Sequence, residues 1–134
     1  MPFLTDLDTR ACGDRDNLLL ADLDYITKAG VFIRVPKGFV TDFASIPPLF
    51  RMWIAVNGRH RHAATLHDYA YRHGGVMNGK NPDIKTVIWN RLEADDEFFH
   101  AMESCFVKSF KRNAMYQGVR IGGQSSWRKV NNEG

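Results

Sequence analysis

The sequence predicts an α+β fold: a small N-terminal antiparallel β-hairpin or sheet followed by three helices, two of them an antiparallel pair. Three observations carry this expectation. The spacing of apolar residues changes near residue 50, from strand-like alternation to helical spacing. Two alternating runs before that point are joined by a short turn containing glycine. Strand-like segments all precede helix-like ones, which argues against alternating α/β units.

The elements follow in order. Leu18 to Leu20 is a short apolar run. Leu23, Tyr25 and Thr27 then alternate with Asp22, Asp24 and Ile26. Lys28-Ala29-Gly30 reads as a turn, and Val31, Ile33 and Val35 alternate with Phe32 and Arg34, completing a hairpin. Pro36 lacks the ladder N–H and ends the second strand. Gly38 to Phe43 is a further extended piece, broken by Pro47 and Pro48. Arg59 to His73 carries Ala63, Leu66 and Ala70 at helical spacing and stops at Gly74-Gly75. Residues 76–82 read as a polar loop with Gly79, Asn81 and Pro82, after which Asp83 caps a long helix. A third helix runs from about Phe110 to Ile121 and ends at Gly122-Gly123.

The 134 residues suit one domain, 1–134, with a β-rich part (15–47), a helical part (59–122) and a polar tail (123–134). A formal net charge of +3 spread along the chain is no basic stripe, so no nucleic-acid partner is expected. Cys12 and Cys105 make no disulfide framework, and no C-x-x-C pair offers a thiolate zinc site. The N-terminus, mixed and acidic, does not read as a signal peptide.

One position breaks the pattern. Ile88, Leu92, Asp95, Phe99, Met102 and Phe106 step by four, three, four, three and four, which puts Asp95 in the middle of the apolar stripe of the long helix. A carboxylate on a core face is costly unless it is paired. The preceding helix offers His67 and Tyr71, four residues apart on one face. A carboxylate bonded to one ring nitrogen fixes the tautomer of a histidine and leaves the other nitrogen to take a proton from water. Asp68, next to His67, is a hard oxygen ligand suited to calcium. A buried His-Tyr-Asp network equally serves to tie two helices together, and Asp68 equally reads as a solvated surface residue.

Other residues carry less chemistry. Asp42 reads as a turn residue, with a helix cap or a ligand reaching the site as alternatives. Arg120, four residues after Tyr116, suits a buried carboxylate, Asp42 or Asp95. Asp96 falls off the stripe, and His60, His62 and His73 read as solvated. Trp53, Trp89 and Trp127 read as core or interface anchors.

Four segments resemble a phage and prophage family known as domain of unknown function (DUF) 1353. They are Gly38-Phe39-Val40-Thr41-Asp42-Phe43-Ala44-Ser45-Ile46-Pro47, Ala63-Ala64-Thr65-Leu66-His67-Asp68-Tyr69-Ala70-Tyr71, the run from Ala94 to Met102, and Met115-Tyr116-Gln117-Gly118-Val119-Arg120. The resemblance spans roughly residues 31–127 and implies a phage origin. The expected role is then a virion-associated part (tail or head-to-tail) or an assembly component, located in the virion or the host cytoplasm, with other phage virion proteins or a host factor as partner. An effector that binds a host protein is a further alternative. A nucleotide signal has no Gly-rich phosphate loop to support it.

A shorter stretch, about residues 63–102, resembles the core of the phospholipase A family that cleaves the sn-2 ester, in the version without disulfides found in parvovirus capsid proteins. That resemblance implies His67 as general base, Tyr71 and Asp95 as the residues that orient it, Asp68 as a calcium ligand, and peripheral membrane lipid as substrate. The sequence departs from that family upstream: Thr41 to Met52 holds no glycine, where those enzymes carry a Gly-rich calcium loop. Asp42 and nearby carbonyls would then have to complete the metal shell.

Overall fold

The computed structural model describes residues 3–12, 16–41, 43, 46–50, 60–79 and 83–127. Asp42, Trp53, Asn81 and Pro82 lie outside the described residues. The chain is α+β: short antiparallel strands come first and three long helices follow.

Strands β1 (Thr9–Ala11), β2 (Asn17–Leu19) and β5 (Val40–Thr41) form one antiparallel sheet in the order β1-β2-β5. The hairpin of β3 (Leu23–Ile26) and β4 (Phe32–Val35) is a second, with Tyr25 opposite Ile33 and Asp24 opposite Arg34. The alternation works as expected there. Leu23, Tyr25, Ile33 and Val35 point inward and are fully buried, while Arg34 closes a fork on Asp24, with Nε donating to Oδ1 at 2.8 Å and Nη2 to Oδ2 at 3.1 Å.

Helix α1 (Arg61–Arg72) buries Ala63, Leu66 and Ala70, as its spacing predicts. It ends at Gly74-Gly75, both left-handed. A Cβ on Gly75 would sit 1.9 Å from the carbonyl oxygen of Trp89, so only glycine fits this return of the chain.

The segment after α1 corrects the sequence reading. Val76–Met77 is not loop but strand β6, paired with β7 (Val87–Ile88). Buried Asn78, in the left-handed conformation, secures the connection. Its side-chain amide donates to the carbonyls of Phe32 and Lys85 and accepts from the N–H of Arg34. Ile88 is therefore not helical, and its side chain is 72% exposed.

Helix α2 (Arg91–Ser104) starts at Asn90, not Asp83. Asn90 and Glu93 form a capping box: the Asn90 side chain accepts from the Glu93 N–H at 2.8 Å, and Glu93 accepts from the Asn90 N–H at 2.9 Å. The inward face is Ala94, Asp95, Phe98, Ala101 and Met102. Leu92 and Phe106 of the expected stripe are exposed, and Phe99 is half-buried. The stripe was read from the largest apolar side chains, whereas the buried face includes two alanines, Ala94 and Ala101.

Helix α3 (Ser109–Gly122) packs on α2, as α1 also does. The core joins the hairpin, all three helices and Trp89, with Trp127 packed at its edge.

Candidate functional site

The α1–α2 contact brings together the residues that the anomalous acid points to. His67 and Tyr71, one helical turn apart, face Asp95 across the seam, and all three are buried. His67 Nε2 lies 2.7 Å from Asp95 Oδ1, and the Tyr71 hydroxyl donates to the same oxygen at 2.7 Å. An ionised carboxylate only accepts, so Nε2 carries the proton and Nδ1 is the unprotonated ring nitrogen of this tautomer. The Tyr71 ring at 4.2 Å and the Phe98 ring at 4.5 Å between centroids both pack against the imidazole.

The second oxygen of Asp95 faces cations. Arg120 Nη1 donates to Oδ2 at 2.7 Å, which settles Arg120 on Asp95. Arg91 Nη1 lies 3.7 Å from the same oxygen. Sequence reasoning missed Arg91, although its place four residues before Asp95 on one helix was the available signal. Arg91 also donates to the Tyr71 hydroxyl at 3.2 Å and to the carbonyls of Val119 and Arg120, both at 3.0 Å. It thereby ties the C-terminal end of α3 to the seam, where a cation also suits the helix dipole.

These partners decide the ionisation of Asp95. Burial alone raises its pKa, but the hydrogen bonds from His67, Tyr71 and Arg120 outweigh burial and hold it below the ordinary carboxylate value. The Tyr71 hydroxyl is pushed up, first by burial and then by its bond to Asp95.

Asp68 is not a solvated surface residue; it is buried. Thr41, at the end of β5, donates its hydroxyl to Asp68 Oδ2 at 2.6 Å, and Arg72 Nε lies 3.6 Å from the same oxygen. Nothing in the sequence pointed to Thr41, because only tertiary packing brings β5 to α1. A calcium ion takes six to eight oxygens. Here one carboxylate oxygen already has a hydroxyl and a guanidinium against it, and no group of three or more metal-ligating side chains exists among the described residues. Those residues do not fit calcium; the other expected ligand, Asp42, lies outside them.

The remaining histidines also depart from expectation. His60 is buried, not solvated. His62 Nε2 accepts from the Leu7 N–H at 3.1 Å, and His73 stacks on Tyr69 at 4.0 Å. Asp96 is exposed and accepts from the Tyr116 hydroxyl at 2.6 Å. Among the described residues, no helix is long and apolar enough to cross a membrane.

The family described as "Protein of unknown function (DUF1353)" matches residues 18–119, a stretch that contains the whole His67–Asp95 seam. No curated protein and no solved structure matches the chain.

Proposed function

We propose, on the premise that this chain belongs to the DUF1353 family, that it is a phage protein whose α1–α2 seam hydrolyses a lipid ester with His67 as general base. The observation that carries the reading is the bond from His67 Nε2 to Asp95 at 2.7 Å with the Tyr71 hydroxyl on the same oxygen. This is the arrangement that the resemblance to the sn-2 phospholipases implies for these positions. In that chemistry Nδ1 takes the proton of a water as its oxygen attacks the ester carbonyl. The single bond from the acyl carbon to the alcohol oxygen then breaks as the carbonyl re-forms, and the proton passes from Nδ1 to the departing alcohol. Asp95 holds the tautomer and balances the imidazolium. No step is assigned to calcium, which enters only as an arm of the test.

The assay is acyl release from mixed phospholipid vesicles, with calcium and with chelator. Wild type releases fatty acid, and His67→Ala loses roughly 100- to 10,000-fold. Equal background release by both proteins in both conditions ends the reading.

A second reading has its own observation. The His67 and Asp95 side chains are fully enclosed, and Asp95 is already met by four groups. Such a network also serves to lock helices together in a virion or assembly component. Mass spectrometry of purified particles separates the two readings: stoichiometric copies of an inactive chain support this one, and absence from particles removes it.

A further inference from the structure

The N-terminal segment is tied down at both ends and crosses the surface between them. Phe3 bridges to Tyr25, and the Leu4 N–H donates to the Asp24 carbonyl at 2.9 Å. From Thr9 the chain is strand β1, and Arg61 donates to the Thr9 hydroxyl at 3.1 Å. Between these anchors Asp6 and Asp8 are exposed and Leu7 is half-buried. Few buried contacts mark a span that opens locally. The Leu7 N–H within it is held by a side chain, donating to His62 Nε2 at 3.1 Å.

That bond fixes the state of the ring. Nε2 accepts, so a neutral His62 carries its proton on Nδ1. A second proton must go to Nε2, the atom that faces the Leu7 N–H. The acceptor then becomes a donor, and two N–H groups oppose each other. The surroundings also resist the charge. His62 is the second residue of α1, where the helix dipole disfavours a cation. Burial lowers its pKa most; Asp6, in the crossing, acts in the opposite sense, and Arg61 adds to the lowering. The Phe3 ring packs on the imidazole at 5.2 Å. Phe3, Leu4, Thr5 and Asp6 line a cavity of about 440 Å³ together with His62 and with Ser104 and Cys105 at the end of α2. The Cys105 thiol is the titratable group that α2 brings to that cavity, and burial pushes its pKa up.

We propose that His62 is a pH-sensitive latch: neutral, it holds the Leu7 N–H and keeps the crossing closed, and a proton on Nε2 frees the Asp6–Leu7 span and opens the cavity beside Cys105. With the span free, the imidazole returns toward its ordinary value of about 6.5. The open form then binds the proton more tightly than the closed one. The latch is therefore fully closed above about pH 6.5 and loosens as pH falls below it. It stands apart from the chemistry proposed at His67, because it is read without turnover.

The test is hydrogen exchange of the full chain, followed amide by amide in NMR spectra from about pH 7.5 to about pH 5. Each rate is divided by its intrinsic value at that pH. In wild type the protection of the Leu7 amide falls about fivefold, the scale of one hydrogen bond. His62→Gln can still present an oxygen to the Leu7 N–H and takes up no proton, so its Leu7 protection does not change with pH. The amides of the β3–β4 hairpin stay level in both proteins. A second readout is the reaction of Cys105 with a disulfide reagent in a Cys12→Ser background, relative to a free thiol at the same pH. It speeds up in acid with His62 present and stays level with His62→Gln. Three results overturn the inference: level Leu7 protection in wild type, the same loss in His62→Gln, or loosening of the hairpin in step with Leu7, which would be unfolding of the whole chain. A Cys105 rate that stays level while Leu7 loosens overturns the opening of the cavity.

Discussion

Asp95→Asn keeps the size of the side chain and removes its charge, so it measures the seam directly. The carboxylate accepts three bonds at 2.7 Å, from His67 and Tyr71 on Oδ1 and from Arg120 on Oδ2. An amide has one oxygen and one N–H₂ group. Whichever way it turns, either Arg120 or the His67–Tyr71 pair meets a donor. Breaking a fully buried ion pair costs about 3–5 kcal/mol. Arg120 and Arg91 keep 29% and 19% of their side chains exposed, so water partly solvates the stranded cations. That discount brings the expected loss to about 3 kcal/mol, or roughly 10 °C in Tm for a chain of this length. Urea unfolding with an unchanged m-value and calorimetry measure it.

The pH dependence gives a second readout. Asp95 has a lowered pKa in the fold, so its stabilisation is complete above the unfolded value of about 3.9 and is lost as pH falls through the lower folded value. The gap between wild type and Asp95→Asn should therefore narrow below about pH 4. A loss under about 1 kcal/mol at neutral pH, with a gap that does not change in acid, refutes the charged-seam account.

Three further changes test the frame around the seam. Gly75→Ala drives a methyl into the Trp89 carbonyl at a left-handed position, and thermal melts should show a loss above about 2 kcal/mol. Asn90→Ala removes the capping box and should cost about 1 kcal/mol in urea titrations, with the far-UV helix signal fraying little. Phe98→Ala opens a cavity beside the His67 ring and should cost about 3–5 kcal/mol, with the ring resonances of His67 moving in NMR spectra.

The hairpin was legible because the apolar positions Leu23, Tyr25, Ile33 and Val35 keep a period of two, although Asp24 between them is also buried, under Arg34. The Gly74-Gly75 stop was legible because left-handed backbone leaves a residue signature. The start of α2 was placed at Asp83, but the cap is Asn90, seven residues on, where the reciprocal bond with Glu93 closes the first turn. The strand at Val76–Met77 was missed because two residues are too short for alternation to show. On the site, Asp95 stood out as an acid among apolar neighbours, although the stripe that exposed it was drawn about one residue out of phase with the packed face.

What the sequence by itself determined is local: the order of strands and helices, the hairpin, and an acid that needs partners from the helix before it. Backbone propensity and side-chain period act between near neighbours, and they are written into consecutive residues. What only the tertiary structure decided is which distant groups share a buried oxygen. Thr41 reaches Asp68, and Arg91 and Arg120 converge on the far side of Asp95. Those meetings depend on how three helices and a sheet edge pack, and spacing along the chain does not encode packing at that range.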